Sequence, residues 1–325
     1  MTYFKTGDSI LPWTMQNGGV EDVERAGNKF FYFWFIGTLS AFTLLVISVC
    51  FFHSDSFSFD KIKPSRDFSF QATTSHSQKE IEALRSILSQ PFTYLAERND
   101  TYVFISEDQT QVIKFFKMKG MTPEYWLNYV PFPWLDKKRL RKIDERARVR
   151  QEFFGGLNIA FDHFRYQNAL TFLHLFHTQY LKMKVRVIDA QGKPHEIPLD
   201  RVPFLLQKKA ELLPDHITRL LSEDKREEAI RSLCQILELV KSSCQKGFAH
   251  ANENIEIAYG FVEGRSIYIR STYLPLDSSM KTSQGTLKEV FTVSKTIESW
   301  LQRKHPDLVS DFQEEVQDIL SCLED

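Results

Sequence analysis

The longest apolar stretch covers residues 30–52, FFYFWFIGTLSAFTLLVISVCFF, and holds no charged side chain. As a helix it would reach ~34 Å, enough for a ~30 Å hydrocarbon core, so the pattern predicts a single membrane-spanning helix. Phe31, Tyr32 and Trp34 crowd one end, where amphipathic rings favour the headgroup level. The run is too long for a cleaved leader, and no small-residue cleavage pattern follows it. Val49 before Cys50 argues against a lipoprotein. Arg25 and Lys29 on one side face Lys61, Lys63 and Arg66 on the other, a balance that does not set orientation.

Beyond the run the pattern changes. Residues 53–77 are rich in Ser and Thr with interspersed Phe and read as a juxtamembrane tether. Ser77 with Glu80 predicts a capping box opening a short helix to about residue 89. Residues 101–106 and 111–117 predict a β-hairpin across 107–110. After a proline-broken aromatic segment at 125–135, Asp136 starts a basic helix to about Phe164. A strand is expected near 170–175, and a second hairpin pairs 184–189 with 195–199 around Gly192. Residues 202–207 read as a buried strand. Ile230, Leu233, Ile236, Leu237 and Val240 lie on one face of a helix at 224–246. Two short strands at 255–259 and 266–270, joined across Gly260 and Gly264, then helices at about 286–303 and 306–323, complete an α+β order without βαβα alternation.

Composition adds limits. The chain has 325 residues and a formal charge of −1, which favours neither nucleic acid nor an acidic tail; no nucleic-acid partner is expected. Four cysteines without a C-x-x-C suggest neither a zinc ribbon nor a disulfide framework. Cys234 and Cys244, ten apart on a helix, stand ~15 Å apart and cannot bridge. His174 and His177, three apart on a strand, point to opposite faces, so no metal site is expected there. No G-x-G-x-x-G and no G-x-S-x-G occur.

Several local phrases, in order, resemble the protein-kinase-like fold over roughly residues 91–325. Val112-Ile113-Lys114 resembles the strand whose lysine holds nucleotide phosphates and an acidic residue of the next helix, here Glu145 or Glu152. Residues 203–211 look like the hinge, and residues 246–252 like the approach to a catalytic loop. The resemblance implies a nucleotide as the one candidate cofactor. It also implies three oxygen-bearing groups for phosphoryl transfer, and these are replaced. His250-x-Asn252 carries an amide where an aspartate is expected, Ile257 or Ala258 stands for a metal-binding asparagine, and Arg270 stands for a metal-binding aspartate. Residues 91–100 contain no glycine for a phosphate-covering loop. The degenerate positions are therefore Lys114, Glu152, His250, Asn252, Ala258 and Arg270, with no catalytic residue assigned.

Aromatic residues Trp126 and Trp134 precede the cations Lys137, Lys138, Arg139, Arg141 and Lys142, a composition that suits a membrane surface. The acidic stretch 311–325 carries a Phe312, Val316, Ile319, Leu320 stripe for packing on the domain or on a partner helix. The expected architecture is a loose segment 1–29, a transmembrane helix 30–52, a linker 53–90, a strand-rich lobe 91–212 and a helical lobe 213–325. The expected function is a single-pass membrane protein, its kinase-like domain catalytically impaired and facing the cytoplasm. It would act as scaffold or regulator, with the lipid bilayer and an unidentified protein as partners. The alternatives are an active phosphotransferase using Lys114, with Asp277 or Glu253 as substitute carboxylates, and a structural membrane protein without a nucleotide site.

Overall fold

The computed structural model describes residues 57–64, 76–118, 136–250, 254–270 and 277–324, all within the unit Phe57–Asp325. Alternating apolar residues in the first half build a seven-stranded sheet. Its strands are β1 (Phe92–Glu97), β2 (Thr101–Ser106), β3 (Gln111–Phe116), β4 (Leu170–His174), β5 (Lys184–Ile188), β6 (Pro194–Pro198) and β7 (Phe204–Lys208), in the order β4-β7-β3-β2-β1-β5-β6. All neighbours run antiparallel except β1 and β5. The β2–β3 turn is pinned by Asp108, whose carboxylate accepts from the Ser106 hydroxyl at 2.6 Å and the Thr110 amide at 3.0 Å. Gly192, at φ +80°, supplies the left-handed turn residue between β5 and β6.

One sheet face, with Tyr102, Phe104, Ile113, Phe115 and Leu206, is covered by Ile62 of α1 (Phe59–Ile62) and Leu84 of α2 (Gln78–Ile87). The predicted capping box opens α2: the Ser77 hydroxyl accepts from the Glu80 amide, and the Glu80 carboxylate accepts from the Ser77 amide. Helix α3 (Asp136–Phe164) packs Phe154, Leu157 and Phe161 onto Phe116, Leu173 and Leu205 of the opposite face.

The helical lobe holds α4 (Leu213–Ser222), α5 (Arg226–Gln245), α6 (Ile255–Ala258), α7 (Ser283–Lys304) and α8 (Val309–Glu324). A three-stranded sheet, β10 (Arg265–Tyr268), β9 (Tyr259–Val262) and β8 (Glu211–Leu212), sits among them. The five apolar residues predicted for one face of α5 are all buried, beside Trp300 and Phe312.

Two local expectations are corrected. Residues 255–258 are helical, because the Asn254 side chain accepts from the Glu256 amide at 3.0 Å and starts a turn. The hairpin then turns at Glu263 (φ 53°) and Gly264 (φ 75°), two left-handed residues in succession, so Gly260 falls inside a strand. A Cβ there would lie 2.6 Å from the Glu211 carbonyl oxygen, so the close approach of β8 requires glycine. Helix α4 and strands β1 and β8 were not expected.

The fold class is corrected as well. A strand-rich lobe and a helical lobe are present, but among the described residues no helix is long and apolar enough to cross a membrane. Residues 30–52, on which the single-span reading rests, lie outside the described residues. Neither single-pass membrane localisation nor a bilayer partner is carried by this architecture.

Candidate functional site

Strand alternation places Val112, Lys114 and Phe116 on the α3-facing side of the large sheet. Val103 of β2 and Leu205 of β7 are the cross-strand neighbours of Lys114, and Ala96 of β1 lies beyond Val103. Helix α3 covers the Phe116 end of this face. The other end carries a separate small cluster of Val103, Ile105 and Val112 with Ala96 at its margin. Lys114 therefore stands between two apolar patches.

Its ammonium donates to the carbonyl of Ile269 at 3.0 Å, just past β10. The Ile269 side chain belongs to a third apolar cluster with Ala169, Val262 and Ile267. Burial pushes the Lys114 ammonium down to about 8; Asp100 opposes that shift and Arg98 adds to it. Lys114 forms no ion pair among the described residues. A half-buried ammonium whose acceptor among the described residues is a neutral carbonyl keeps part of its desolvation cost uncompensated.

The other expected positions divide. Arg270 follows Ile269 directly and is exposed, so Lys114 and the 269–270 segment do meet. Glu152 is exposed on α3 and faces Arg148 at 3.7 Å. Ala258 is buried in α6. Asn252 and Glu253 lie outside the described residues, as do Trp126 and Trp134. Lys137, Lys138 and Arg139 fall in the first turn of α3, while Arg141 and Lys142 are exposed further along it. Asp277 accepts from the Ser279 amide at 2.9 Å as a helix cap.

His250 is a core residue. Its backbone amide donates to Glu289 at 2.7 Å, its Nδ1 lies 3.0 Å from the Tyr259 hydroxyl, and the Tyr268 ring meets it edge-on. Burial pushes its imidazolium down to about 4, so the ring is neutral. His174 is equally enclosed, between the Val202 carbonyl and the Thr178 hydroxyl, with burial lowering it to about 4. Among the described residues no cluster of His, Cys, Asp or Glu could hold a metal ion. Burial raises the Cys234 and Cys244 thiols to about 12, so neither is a nucleophile.

Sequence reasoning missed one polar row. Glu211 Oε2 lies 2.8 Å from His216 Nδ1, and His216 Nε2 lies 3.2 Å from the Ser232 hydroxyl. The order is that of a carboxylate–imidazole–hydroxyl relay, but Ser232 and His216 are buried in the helical core and Phe261 stacks on the imidazole at 3.8 Å. Arg219 binds Glu211 through two nitrogens and also contacts His216 Nδ1. A hydroxyl sealed in mid-helix cannot meet a substrate, so the row is structural. Its only sequence signal is the Glu211–His216 spacing.

No protein-family model matches the chain. No curated protein matches it either. The kinase-like resemblance is corrected accordingly. The lysine that carried it is tied to a main-chain carbonyl, Glu152 faces Arg148 on α3 while Glu145 is exposed on the same helix, and the first strand of the expected late hairpin is a helix. The scaffold or regulator role inferred from that resemblance falls with it.

Proposed function

We propose that this chain is a binding protein whose site is the sheet face around Lys114. It holds, without transforming, a small ligand that joins an apolar body to a carboxylate or similar anion. One observation carries the reading: a half-buried ammonium between apolar clusters, with a main-chain carbonyl as acceptor and no ion pair among the described residues. A carbonyl dipole offsets only part of the desolvation of a full charge, and an anion offsets the rest. The buried cluster of Val103, Ile105 and Val112, with Ala96 half-buried at its margin, supplies the apolar wall beside the ammonium. In this reading Lys114 is a counter-ion and not a proton-transfer group.

The test uses the full chain, with octanoate as probe, displacing 1-anilinonaphthalene-8-sulfonate. A charge-assisted contact is worth ~1.5–3 kcal/mol, so Lys114→Met weakens octanoate binding by roughly 10–100-fold. Wild-type affinity falls as pH rises through about 8, where the ammonium loses its proton, and Lys114→Arg removes that dependence. The same Lys114→Met change removes an uncompensated charge, so unfolding free energy at pH 7 rises by about 1 kcal/mol. A variant that binds octanoate like the wild type and unfolds more easily would make Lys114 a structural tie and end the proposal.

A further inference from the structure

Helix α7 buries Val290, Val293, Ile297, Trp300 and Leu301 and turns its opposite side to solvent. Along that side stand Lys288, Phe291, Lys295 and Arg303, all exposed. Thr292, Thr296 and Ser299 between them donate their hydroxyls to carbonyls one turn back on the same helix, leaving a smooth face. Lys295 is paired with Glu298 of the same helix at 2.7 Å, so the ridge's open cations are Lys288 and Arg303, which form no ion pair among the described residues. Phe291 is 48% exposed, the one phenylalanine so placed among the described residues.

Alongside runs α8, VSDFQEEVQDILSCLE, with five acidic residues and no lysine or arginine. Phe312, Val316 and Leu320 face the core. Glu314 and Asp318 face solvent and form no ion pair among the described residues. Between the helices lies a groove of about 430 Å³, with Phe291 and the Lys295–Glu298 pair on one wall and Glu314 and Gln317 on the other. One molecule thus presents a cationic ridge and an anionic ridge side by side, separated by an apolar furrow.

We infer that this face is a homodimer interface, its occupant a second copy of the chain. A two-fold axis along the furrow sets the cationic ridge of each copy on the anionic ridge of the other and brings both Phe291 rings into the furrow. A two-fold axis across the helices would instead oppose like charges, so the charge pattern selects one arrangement. The area suffices: α7 is ~33 Å long, and two helices ~10 Å apart offer a face close to the ~800 Å² a standard interface takes from each partner.

Light scattering and sedimentation of the full chain test this. Wild type is a dimer whose dissociation constant rises with salt, since exposed charges are screened. The double variants Lys288→Glu with Arg303→Glu, and Glu314→Lys with Asp318→Lys, alter only exposed positions. Each weakens the dimer by about tenfold or more, and an equimolar mixture of the two recovers it, because both cross-contacts become complementary again. Phe291→Asp, an uncharged-to-charged change in the furrow, also yields monomer. A monomeric wild type at tens of micromolar overturns the inference. So does an association that the charge reversals leave unchanged, or a mixture that stays monomeric.

Discussion

His174 and His250 sit in the interior as neutral rings, and burial holds both near 4 against about 6.5 in an unfolded chain. Between those values the unfolded state takes up protons that the folded state refuses. Stability is therefore intact above pH 6.5 and is lost as pH falls towards 4, with a slope of up to about 1.4 kcal/mol per pH unit for each ring. Denaturant titrations at pH 7 and pH 5 check this against His250→Gln. The variant should lose about 2 kcal/mol less than wild type across that interval, and an equal loss would show that His250 takes up its proton while folded. Both histidines are visible in the chain, but their burial is not. His250 becomes a core residue only because Tyr259, Tyr268 and Glu289, 9, 18 and 39 positions further along the chain, close around it.

Element by element, legibility followed how local the determinants are. The hairpin 101–117 and the apolar stripe of α5 rest on contacts within a few residues, and they form as read. So does the capping box of α2, which makes a sharp prediction. Ser77→Ala removes an acceptor of the Glu80 amide and should cost about 1 kcal/mol, measured by urea unfolding. Burial favours the neutral form of Glu80, but the Ser77 amide, the Arg165 guanidinium at 2.6 Å and the Ser77 hydroxyl outweigh it and hold the carboxyl at about 2. Its share of stability is present above pH 4.5 and disappears as pH drops from there to about 2. Arg165→Gln should flatten that acid limb, and an unaltered limb would show that Arg165 does not hold the carboxyl down. Helix α4 has its signal in the chain, since Leu213, Ile217 and Leu220 have helical spacing and Pro214 is a favourable first-turn residue. The late hairpin slipped because Gly260 looks like a turn residue, whereas its lack of a side chain answers to β8, far off in the chain.

At the scale of the molecule the large sheet and the β9–β10 hairpin are joined by a few long-range contacts, and these the sequence conceals. Lys114 reaches Ile269 across 155 positions, and Lys208 meets Glu263 across 55. The Lys208 pair is exposed, so it adds little. Arg265 is the stronger clasp: its guanidinium lies 3.6 Å from the Tyr166 ring centroid and donates to the Tyr166 carbonyl at 2.6 Å, while the Tyr268 amide reaches the Gln167 carbonyl at 3.2 Å. If these contacts hold the hairpin against the loop after α3, Arg265→Ala should let the hairpin open locally without unfolding the helices. A stacked cation and a charge-assisted hydrogen bond together are worth about 2–3 kcal/mol, so exchange of the Tyr268 and Ile269 amides should quicken by roughly 30–100-fold. The α7 amides, buried around Trp300, should exchange as in the wild type. Uniform acceleration over both regions would mean that hairpin and helices open as one unit. The Lys114 contact would then be fixed by the whole core, and a ligand bound at that face would stabilise hairpin and helices together.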